Sequence, residues 1–222
     1  MKAKETDNYG LRMLTPEGIF QVGLTLGDGP EDVRDAALLA LELSAPLSRE
    51  QLAGLLVEDV MRRGGVARDT FRATVCGETL DVPIFPVVGA AVERWVDLRR
   101  IKFRSPLFSG RGGRMVRCKA VGRWVKSRLA AAGIEGSGIG FEVVRNTSFA
   151  ALNFGVLLAR KALRVKSSIK AVRRYIDHPL TAADFAPLEE LARLLLDARK
   201  LDAEAKREEA AEEDAGPEGR ED

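Results

Sequence analysis

One short β-type segment interrupts a chain whose apolar residues otherwise recur at helical spacing. Residues 70–75 and 79–85 are rich in threonine, valine, phenylalanine and isoleucine, and Gly77-Glu78 between them suits a two-residue hairpin loop. On both sides of this segment, apolar residues recur every three or four positions, as in amphipathic helices. The sequence therefore predicts a mainly α fold with a small antiparallel β-sheet, of the α+β class, in which a third strand could join the hairpin.

Local end signals place the predicted helices. Pro16 suits the first position of a helix, and Ser48 with Gln51 has the spacing of a capping box. Trp95 and Trp124 lie within helical apolar patterns and are expected in the core. The predicted helices begin at residue 16 and cover 32–43, 48–59, 88–101, 116–132, 141–154, 157–162 and 167–175, and a last one, capped by Thr181 or Asp184, runs through 188–195 into the C-terminal tail.

Charge divides the chain into a basic body and an acidic tail. The 222 residues include 35 Lys+Arg and 33 Asp+Glu, but residues 202–222 alone contain ten acidic and three basic side chains. We therefore predict a flexible N-terminus at 1–13, one domain at 14–201 and an acidic disordered tail at 202–222. The tail could be a solubility segment or could compete with nucleic acid for the basic body.

Residue content excludes several classes of protein. Cys76 and Cys118 lie 42 residues apart and the one histidine, His178, is far from both, so no zinc-ligand spacing exists and no metal or other cofactor is expected. The glycine-rich stretches 109–114 and 136–140 lack the features of nucleotide-binding fingerprints. No signal peptide or spanning segment is evident, which predicts a cytoplasmic protein without a membrane partner.

Two blocks of basic residues predict the ligand. Residues 94–128 contain twelve basic side chains and one acid, Asp97, and residues 160–174 contain seven basic side chains and no acid. Ordinary solvated helices interleave both signs, whereas one-signed clusters favour a polyanion whose counterions are released on binding. We predict double-stranded DNA as the partner, and expect the two blocks to converge on one concave surface. The predicted DNA-contacting residues are Arg99, Arg100, Lys102, Arg104, Arg111, Arg114, Arg117, Lys119, Arg123, Arg164, Lys166, Lys170, Arg173 and Arg174.

The second basic block belongs to a recognisable pattern. Glu142-Val143-Val144-Arg145 is followed by Lys166-Ser167-Ser168 and then by Tyr175-Ile176. These residues resemble the catalytic domain of the phage integrase, or tyrosine recombinase, family, in which His-x-x-Arg precedes a histidine or tryptophan, two small polar residues and a tyrosine nine residues on. Further similar stretches are Val82-Pro83-Ile84, Pro106-Leu107-Phe108-Ser109 and Glu58-Asp59-Val60, so that the resemblance covers about residues 14–176 and implies the fold of that catalytic domain.

The resemblance also implies a chemistry. In the family a tyrosine attacks a DNA phosphodiester, two arginines hold the non-bridging oxygens, and a lysine and a histidine move protons. By this resemblance Tyr175 is the nucleophile, Arg145 is the second arginine, and Lys166 replaces the later histidine or tryptophan. A structural role for Tyr175, with its ring buried, is the alternative.

Other positions depart from the family pattern. Ser48 stands where the first arginine is expected, the hairpin lysine falls near Thr74 or Val75, and Glu142 replaces the first histidine. A carboxylate at that position is expected to pair with Arg145 and to repel the charge that develops on a phosphate. Arg49 adjoins Ser48, but one residue along a helix rotates a side chain by about 100°, so Arg49 is expected to point elsewhere.

The sequence thus predicts a DNA-binding protein derived from a tyrosine recombinase, catalytically impaired and acting as a regulator or accessory factor of a mobile element. The alternative is an active site-specific recombinase that uses Tyr175, Arg145 and Lys166. A third hypothesis is a module that binds RNA or an acidic partner. The leucine-rich stretch 188–201 could pack on its own domain or join a second copy in a homo-oligomer.

Overall fold

The protein is described by a computed structural model that covers residues 12–75, 78–151 and 186–214. Three helices begin with proline in the first turn: α1 (Pro16–Leu24), α2 (Pro30–Ser44) and α5 (Pro86–Arg99). Proline suits this position because the first turn leaves its backbone N–H groups unpaired and needs φ near −65°. The hydroxyl of Thr15 caps α1 by accepting a hydrogen bond from the backbone N–H of Gly18 at 3.1 Å.

The helix predicted for residues 48–59 is wrong in its extent, because the structure has two short helices there, α3 (Arg49–Gly54) and α4 (Val57–Val60). The predicted capping box at Ser48 and Gln51 is confirmed, with hydrogen bonds of 2.7 and 3.1 Å. The helix stops because the carbonyl of Leu55 accepts a hydrogen bond from Leu107 and the N–H of Leu56 donates to the carboxylate of Asp59. Both contacts require an extended backbone at residues 55 and 56.

The hairpin consists of β1 (Thr70–Val75) and β2 (Glu78–Pro83), paired antiparallel. The register pairs Val75 with Glu78, so Glu78 belongs to the strand and not to the predicted loop. Phe71 and Val82 lie opposite each other and are buried, which fixes the face that packs on the helices. Among the described residues this sheet has two strands, so the suggested third strand is not found there.

The second half of the described chain is helical. A 3₁₀ turn at Arg111–Gly113 leads to α6 (Cys118–Ala131), and α7 (Phe141–Ala151) follows. The last described helix is α8 (Ala186–Asp214). The predicted helices at 157–162 and 167–175 and the proposed caps at Thr181 and Asp184 lie outside the described residues.

The core is built around α2, whose residues from Ala37 to Ser44 are all buried. Helices α5, α6, α7 and α8 all pack against it. Trp95 is buried as predicted and its indole N–H donates to the carbonyl of Leu107 at 2.8 Å, while Trp124 is half-buried beneath the guanidinium of Arg34. The predicted fold class, mainly α with a small antiparallel sheet, is confirmed.

Helix α8 contacts α1 and α2 through a stripe of buried apolar side chains, Leu188, Ala192, Leu195 and Ala198. In this structure the leucine-rich stretch therefore packs on its own domain, one of the two alternatives considered from the sequence. Among the residues described, no helix combines the length and the apolar character needed to cross a lipid bilayer.

The acidic segment begins within a helix, because α8 continues past Asp202 to Asp214. Alanine, glutamate, lysine and arginine favour helix in this segment. Lys206 pairs with Asp202 at 2.8 Å and Lys200 with Glu204 at 3.9 Å, both at i,i+4 spacing. At the other end, the carbonyl of Arg12 accepts a hydrogen bond from the side-chain amide of Asn146 at 3.2 Å.

Candidate nucleic-acid interface

A groove of about 660 Å³ lies where α3, α6 and the loop before α7 meet. Cationic side chains and glycine backbone dominate its walls, and we call it the basic groove. Its cations are Arg49, Arg117, Lys119, Arg123 and Lys126, its carboxylate is Glu142, and its remaining residues are Ala120, Gly122, Gly138, Ile139, Gly140 and Phe141. The groove is therefore a basic surface with one acidic side chain.

Helix α6 supplies most of the charge. Its buried face carries Val121, Val125 and Leu129, at intervals of four residues. Lys119, Arg123 and Lys126 follow the i, i+4, i+7 spacing of the opposite face and, like Arg117 at the N-cap, are exposed. The helical periodicity that buries the valines thus turns these cations toward the groove.

The cations of α6 that line the groove are not neutralised within the described structure. Arg117, Lys119, Arg123 and Lys126 form no salt bridge with any carboxylate in the described ranges. The first turn of α6 also contains no acidic residue. Because the N-terminus of a helix is already the positive end of its dipole, these cations favour an anion at this position.

Arg49 lies in the basic groove, although the sequence analysis expected it to point elsewhere. Its side chain rests against Gly122 of α6, and its Nη2 lies 3.7 Å from Oε1 of Glu142. The expectation failed because Ser48 is the N-cap of α3 and has an extended backbone, with φ −81° and ψ 160°. The rotation of about 100° per residue holds only between helical residues, and Arg49 is the first of these.

Glu142 lies between two arginines. Its Oε1 faces Arg49, and its Oε2 lies 3.6 Å from Nη1 of Arg145, as predicted for this pair. Aromatic rings support both guanidinium groups: Phe141 lies 6.0 Å from Arg49 and Phe149 lies 5.2 Å from Arg145. The side chain of Glu142 remains 54% exposed at the start of α7.

A second carboxyl lies beneath this cluster. Glu42 of α2 is fully buried, and its two oxygens accept no hydrogen bond from the described residues. Burial raises the pKa of Glu42 well above its ordinary value, and the charge of Arg145 only partly opposes this rise. The backbone N–H of Leu47 also acts to lower the pKa of Glu42, although this N–H donates its hydrogen bond to the carbonyl of Ala45. The Nε of Arg145 is itself buried without a described acceptor.

Other predicted DNA contacts lie in a second groove of about 490 Å³. Lys102 and Arg104 line it together with Arg62 and Arg63, and Phe103 forms part of its apolar wall. Arg104 lies 3.7 Å from the carboxylate of Glu58, so part of its charge is neutralised. The residues of the first basic block that line a groove are therefore divided between two grooves.

The remaining predicted residues of the first block lie at the C-terminal end of α5 and around the 3₁₀ turn. Arg99 lies over the ring of Trp95 at 5.8 Å, and Arg100 ends α5 with a left-handed backbone, φ 49°. Arg111 begins the 3₁₀ turn and Arg114 follows it, exposed to solvent. Arg99, Arg100 and Arg114 line neither groove.

Two cations of the block are paired with carboxylates of the same domain. Arg128 of α6 donates hydrogen bonds to Asp32 at 2.6 Å and Asp35 at 2.9 Å, and its side chain is 12% exposed. Arg94 pairs with Asp28 at 2.5 Å. The charge of Arg128 is balanced in a largely buried pair and that of Arg94 in a solvent-exposed one, so both contribute less to the attraction of a polyanion.

Several predicted site residues cannot be placed. Tyr175 and the whole second basic block, including Arg164, Lys166, Lys170, Arg173 and Arg174, lie outside the described residues. The convergence of both blocks on one surface therefore stays a prediction. Lys126 was missing from the predicted contacts, although its position three residues after Arg123 indicates the same helix face. Among the described side chains, no three of histidine, cysteine, aspartate or glutamate lie together as metal ligands would.

Comparison with known proteins identifies solved structures of similar fold. No protein-family model matches the sequence, and the search of curated proteins gave no significant match. The crystal structure of XerA recombinase is similar, with a TM-score of 0.53 and 15% sequence identity over 86% of this chain and 66% of that one. The XerH site-specific recombinase, bound to its palindromic difH substrate in a post-cleavage complex, is similar with a TM-score of 0.53 and 16% identity over 82% of this chain and 52% of that one.

The chain thus spans 66% and 52% of the length of these two structures. At such low identity the similarity concerns the fold alone. It supports the resemblance noted in the sequence, and the chain has a fold like that of tyrosine recombinase catalytic domains.

Proposed function

We propose that the chain is a DNA-binding protein derived from a tyrosine recombinase, catalytically impaired, which acts in the cytoplasm as a regulator or accessory factor of a mobile element. One observation carries the proposal: the exposed cations of α6 line a groove and have no carboxylate partner in the described residues, on a recombinase-like fold. The XerH structure, a complex with a palindromic difH substrate, adds support from a protein of similar fold.

The spacing of the α6 cations suits a duplex. Lys119 and Lys126 are seven residues apart, which corresponds to about 10 Å along a helix. Each strand of a DNA duplex carries one phosphate charge per about 3.4 Å of its axis, so this length matches roughly three phosphates of one strand. A row of three unneutralised cations can therefore contact several phosphates without any change in the backbone.

Two local features support impaired cleavage. Ser48, which stands where the first arginine of the family is expected, uses its hydroxyl to cap α3. Glu142 neutralises part of the charge of Arg145 and Arg49. Loss of one preorganised anion-stabilising donor typically lowers a rate about 10²- to 10³-fold, so the proposed protein binds DNA far better than it cuts it.

Binding to a fluorescent duplex, measured by anisotropy over a range of salt concentrations, tests the proposal. We expect log K to fall linearly with log salt, by about 0.9 per phosphate contact. The double variant Arg123→Ala/Lys126→Ala should lower this slope by roughly 1.8 and weaken binding roughly 60-fold at 0.1 M salt, since each contact is worth roughly eightfold there.

The matched control is Arg193→Ala/Lys200→Ala, which removes the same charge from α8. Both residues are exposed and pair with glutamates on their own helix. We expect this control to bind DNA almost as tightly as the wild type. Binding that does not depend on salt, or an equal loss in both double variants, would contradict the proposal, and stronger competition by RNA than by DNA would favour an RNA-binding module.

An active site-specific recombinase is the second candidate, and the position of Arg49 favours it. Because Arg49 reaches Glu142, a second guanidinium lies near Arg145 despite Ser48. A nicked suicide duplex traps the covalent phosphotyrosyl adduct of such an enzyme. An adduct that disappears in Tyr175→Phe would establish cleavage by this chain, whereas intact binding without an adduct supports the regulator.

A further inference from the structure

We propose that the carboxylate of Glu142 is an internal competitor for the cations of the basic groove, held between Arg49 and Arg145 until a phosphodiester of nucleic acid displaces it. This inference rests on the proposed DNA-binding function and concerns the regulation of the same site. It assigns Glu142 a restraining role, in which the free protein has lower affinity than its cations alone would give.

The geometry of Glu142 is that of a weakly held anion between two donors. Each carboxylate oxygen faces one guanidinium, Oε1 at 3.7 Å from Arg49 and Oε2 at 3.6 Å from Arg145. Charge-assisted hydrogen bonds between such groups are about 2.7–2.9 Å long, so neither contact is a hydrogen bond. A phosphodiester also presents two non-bridging oxygens, and it can form the shorter contacts that Glu142 does not.

Both arginines have contacts other than Glu142 that position them. Arg49 packs against Gly122 and lies near the ring of Phe141, and Arg145 lies over the ring of Phe149 with a buried Nε. A ligand that replaces the carboxylate therefore meets guanidinium groups that are already positioned, which lowers the entropic cost of binding.

A bound phosphate would also take the place of Glu142 near the N-terminus of α7. It lies in the first turn of α7, where the helix dipole stabilises a negative charge, and the carboxylate lines the same groove as the cations of α6. More than half of its side chain is exposed, so it can turn into solvent without uncovering the core. Displacement thus exchanges one anion for another at little structural cost.

The test compares duplex binding by the wild type and by Glu142→Gln. We expect the variant to bind roughly eightfold tighter at 0.1 M salt and the salt slope to steepen by about 0.9, the value of one added phosphate contact. Glu135→Gln removes an equal charge from the neighbouring loop, outside the lining of the groove, and should change affinity less than twofold.

A double-mutant cycle with Arg49→Gln shows whether Glu142→Gln acts by freeing Arg49 for the ligand or by changing the net charge of the protein. If Glu142 restrains Arg49, most of the gain from Glu142→Gln should disappear in the Arg49→Gln background. Thermal melts confirm that each variant is folded, and Glu142→Ala replaces Glu142→Gln if the latter melts at lower temperature. Addition of inorganic phosphate shows whether the site prefers the free ion.

The outcomes separate the two levels of the proposal. An equal effect of Glu135→Gln, or a gain that survives unchanged with Arg49→Gln, would overturn the competitor role while DNA binding by the wild type stands. Tighter binding of inorganic phosphate without any gain for DNA would overturn the assignment to nucleic acid. Failure of both wild type and Glu142→Gln to bind DNA would overturn the inference together with the proposed function.

Discussion

Replacement of Gly23 by alanine should loosen the contact between α1 and α8. Gly23 is buried in the last turn of α1, where α8 crosses it. A Cβ at this position would lie 2.3 Å from the carbonyl oxygen of Leu195 and 2.5 Å from the Cβ of Ala198, and real Cβ atoms essentially never come closer than 3.0 Å to such atoms. Because the nearer atom is backbone, no side-chain rotation relieves the overlap, and α8 itself must move.

The size of the effect follows from two opposing contributions. Overpacking of a core typically costs about 1–3 kcal/mol, and a clash with rigid backbone belongs at the upper end of that range. Alanine in place of glycine within a helix returns about 1 kcal/mol. The net loss of about 2 kcal/mol should lower the melting temperature by roughly 4–8 °C for a domain of this size.

Gly18→Ala is the matched control on the same helix. Its Cβ would meet the Cδ1 of Ile134 at 3.6 Å, an ordinary contact, so this variant should be stabilised by up to about 1 kcal/mol. Thermal unfolding followed by circular dichroism compares the two. Equal melting temperatures for Gly23→Ala and Gly18→Ala would refute the packing of α8 against α1.

The same melts address the predicted homo-oligomer. In the structure α8 packs on α1 of its own chain, so the loss at Gly23→Ala should not depend on protein concentration. If α8 instead docked on a second copy, dilution would lower the melting temperature of the wild type, because association contributes to stability by mass action.

Two further substitutions test the electrostatics of the core. Glu42→Gln should stabilise the protein at pH 8 and have little effect near the ordinary pKa of 4.5, because a group whose pKa is raised by folding lowers stability as the pH rises through its folded-state pKa. Urea unfolding at both pH values measures the change in stability, and an equal change at both would contradict the prediction. Arg128→Ala should cost about 3 kcal/mol, because it leaves Asp32 without a partner and Asp35 with Arg34 alone. Arg123→Ala, on the exposed face of the same helix, should change stability by less than about 0.5 kcal/mol and instead weaken DNA binding.

Features set by neighbouring residues could be predicted from the sequence. Thr15 with Pro16 and Ser48 with Gln51 form caps within four residues, and both begin helices as expected. The hairpin also follows from a local pattern, with an error of one residue at the turn. These elements depend on contacts between residues that are close in the chain, which a pattern can report.

Features set by distant contacts could not be predicted in the same way. The break after α3 depends on Leu107, which pairs with Leu55 from more than fifty residues away. Arg128 differs from the cations that line the basic groove because it donates hydrogen bonds to Asp32 and Asp35 of α2. A count of charges along the chain treats Arg128 and Arg123 alike, although Arg128 is paired with carboxylates of α2 and Arg123 is exposed in the basic groove.

The two departures from the family pattern at the basic groove both favour helix ends. A serine N-cap such as Ser48 typically contributes about 1 kcal/mol, and an acidic residue in the first turn, such as Glu142, about 0.3–1 kcal/mol. An arginine at Ser48 or a histidine at Glu142 would forgo these contributions. The residues that would impair cleavage in the proposed function therefore stabilise the local structure, while the buried face of α6 and its exposed cations are untouched by either change. Loss of strand cleavage with retention of fold and DNA binding is thus a physically favourable combination for this chain.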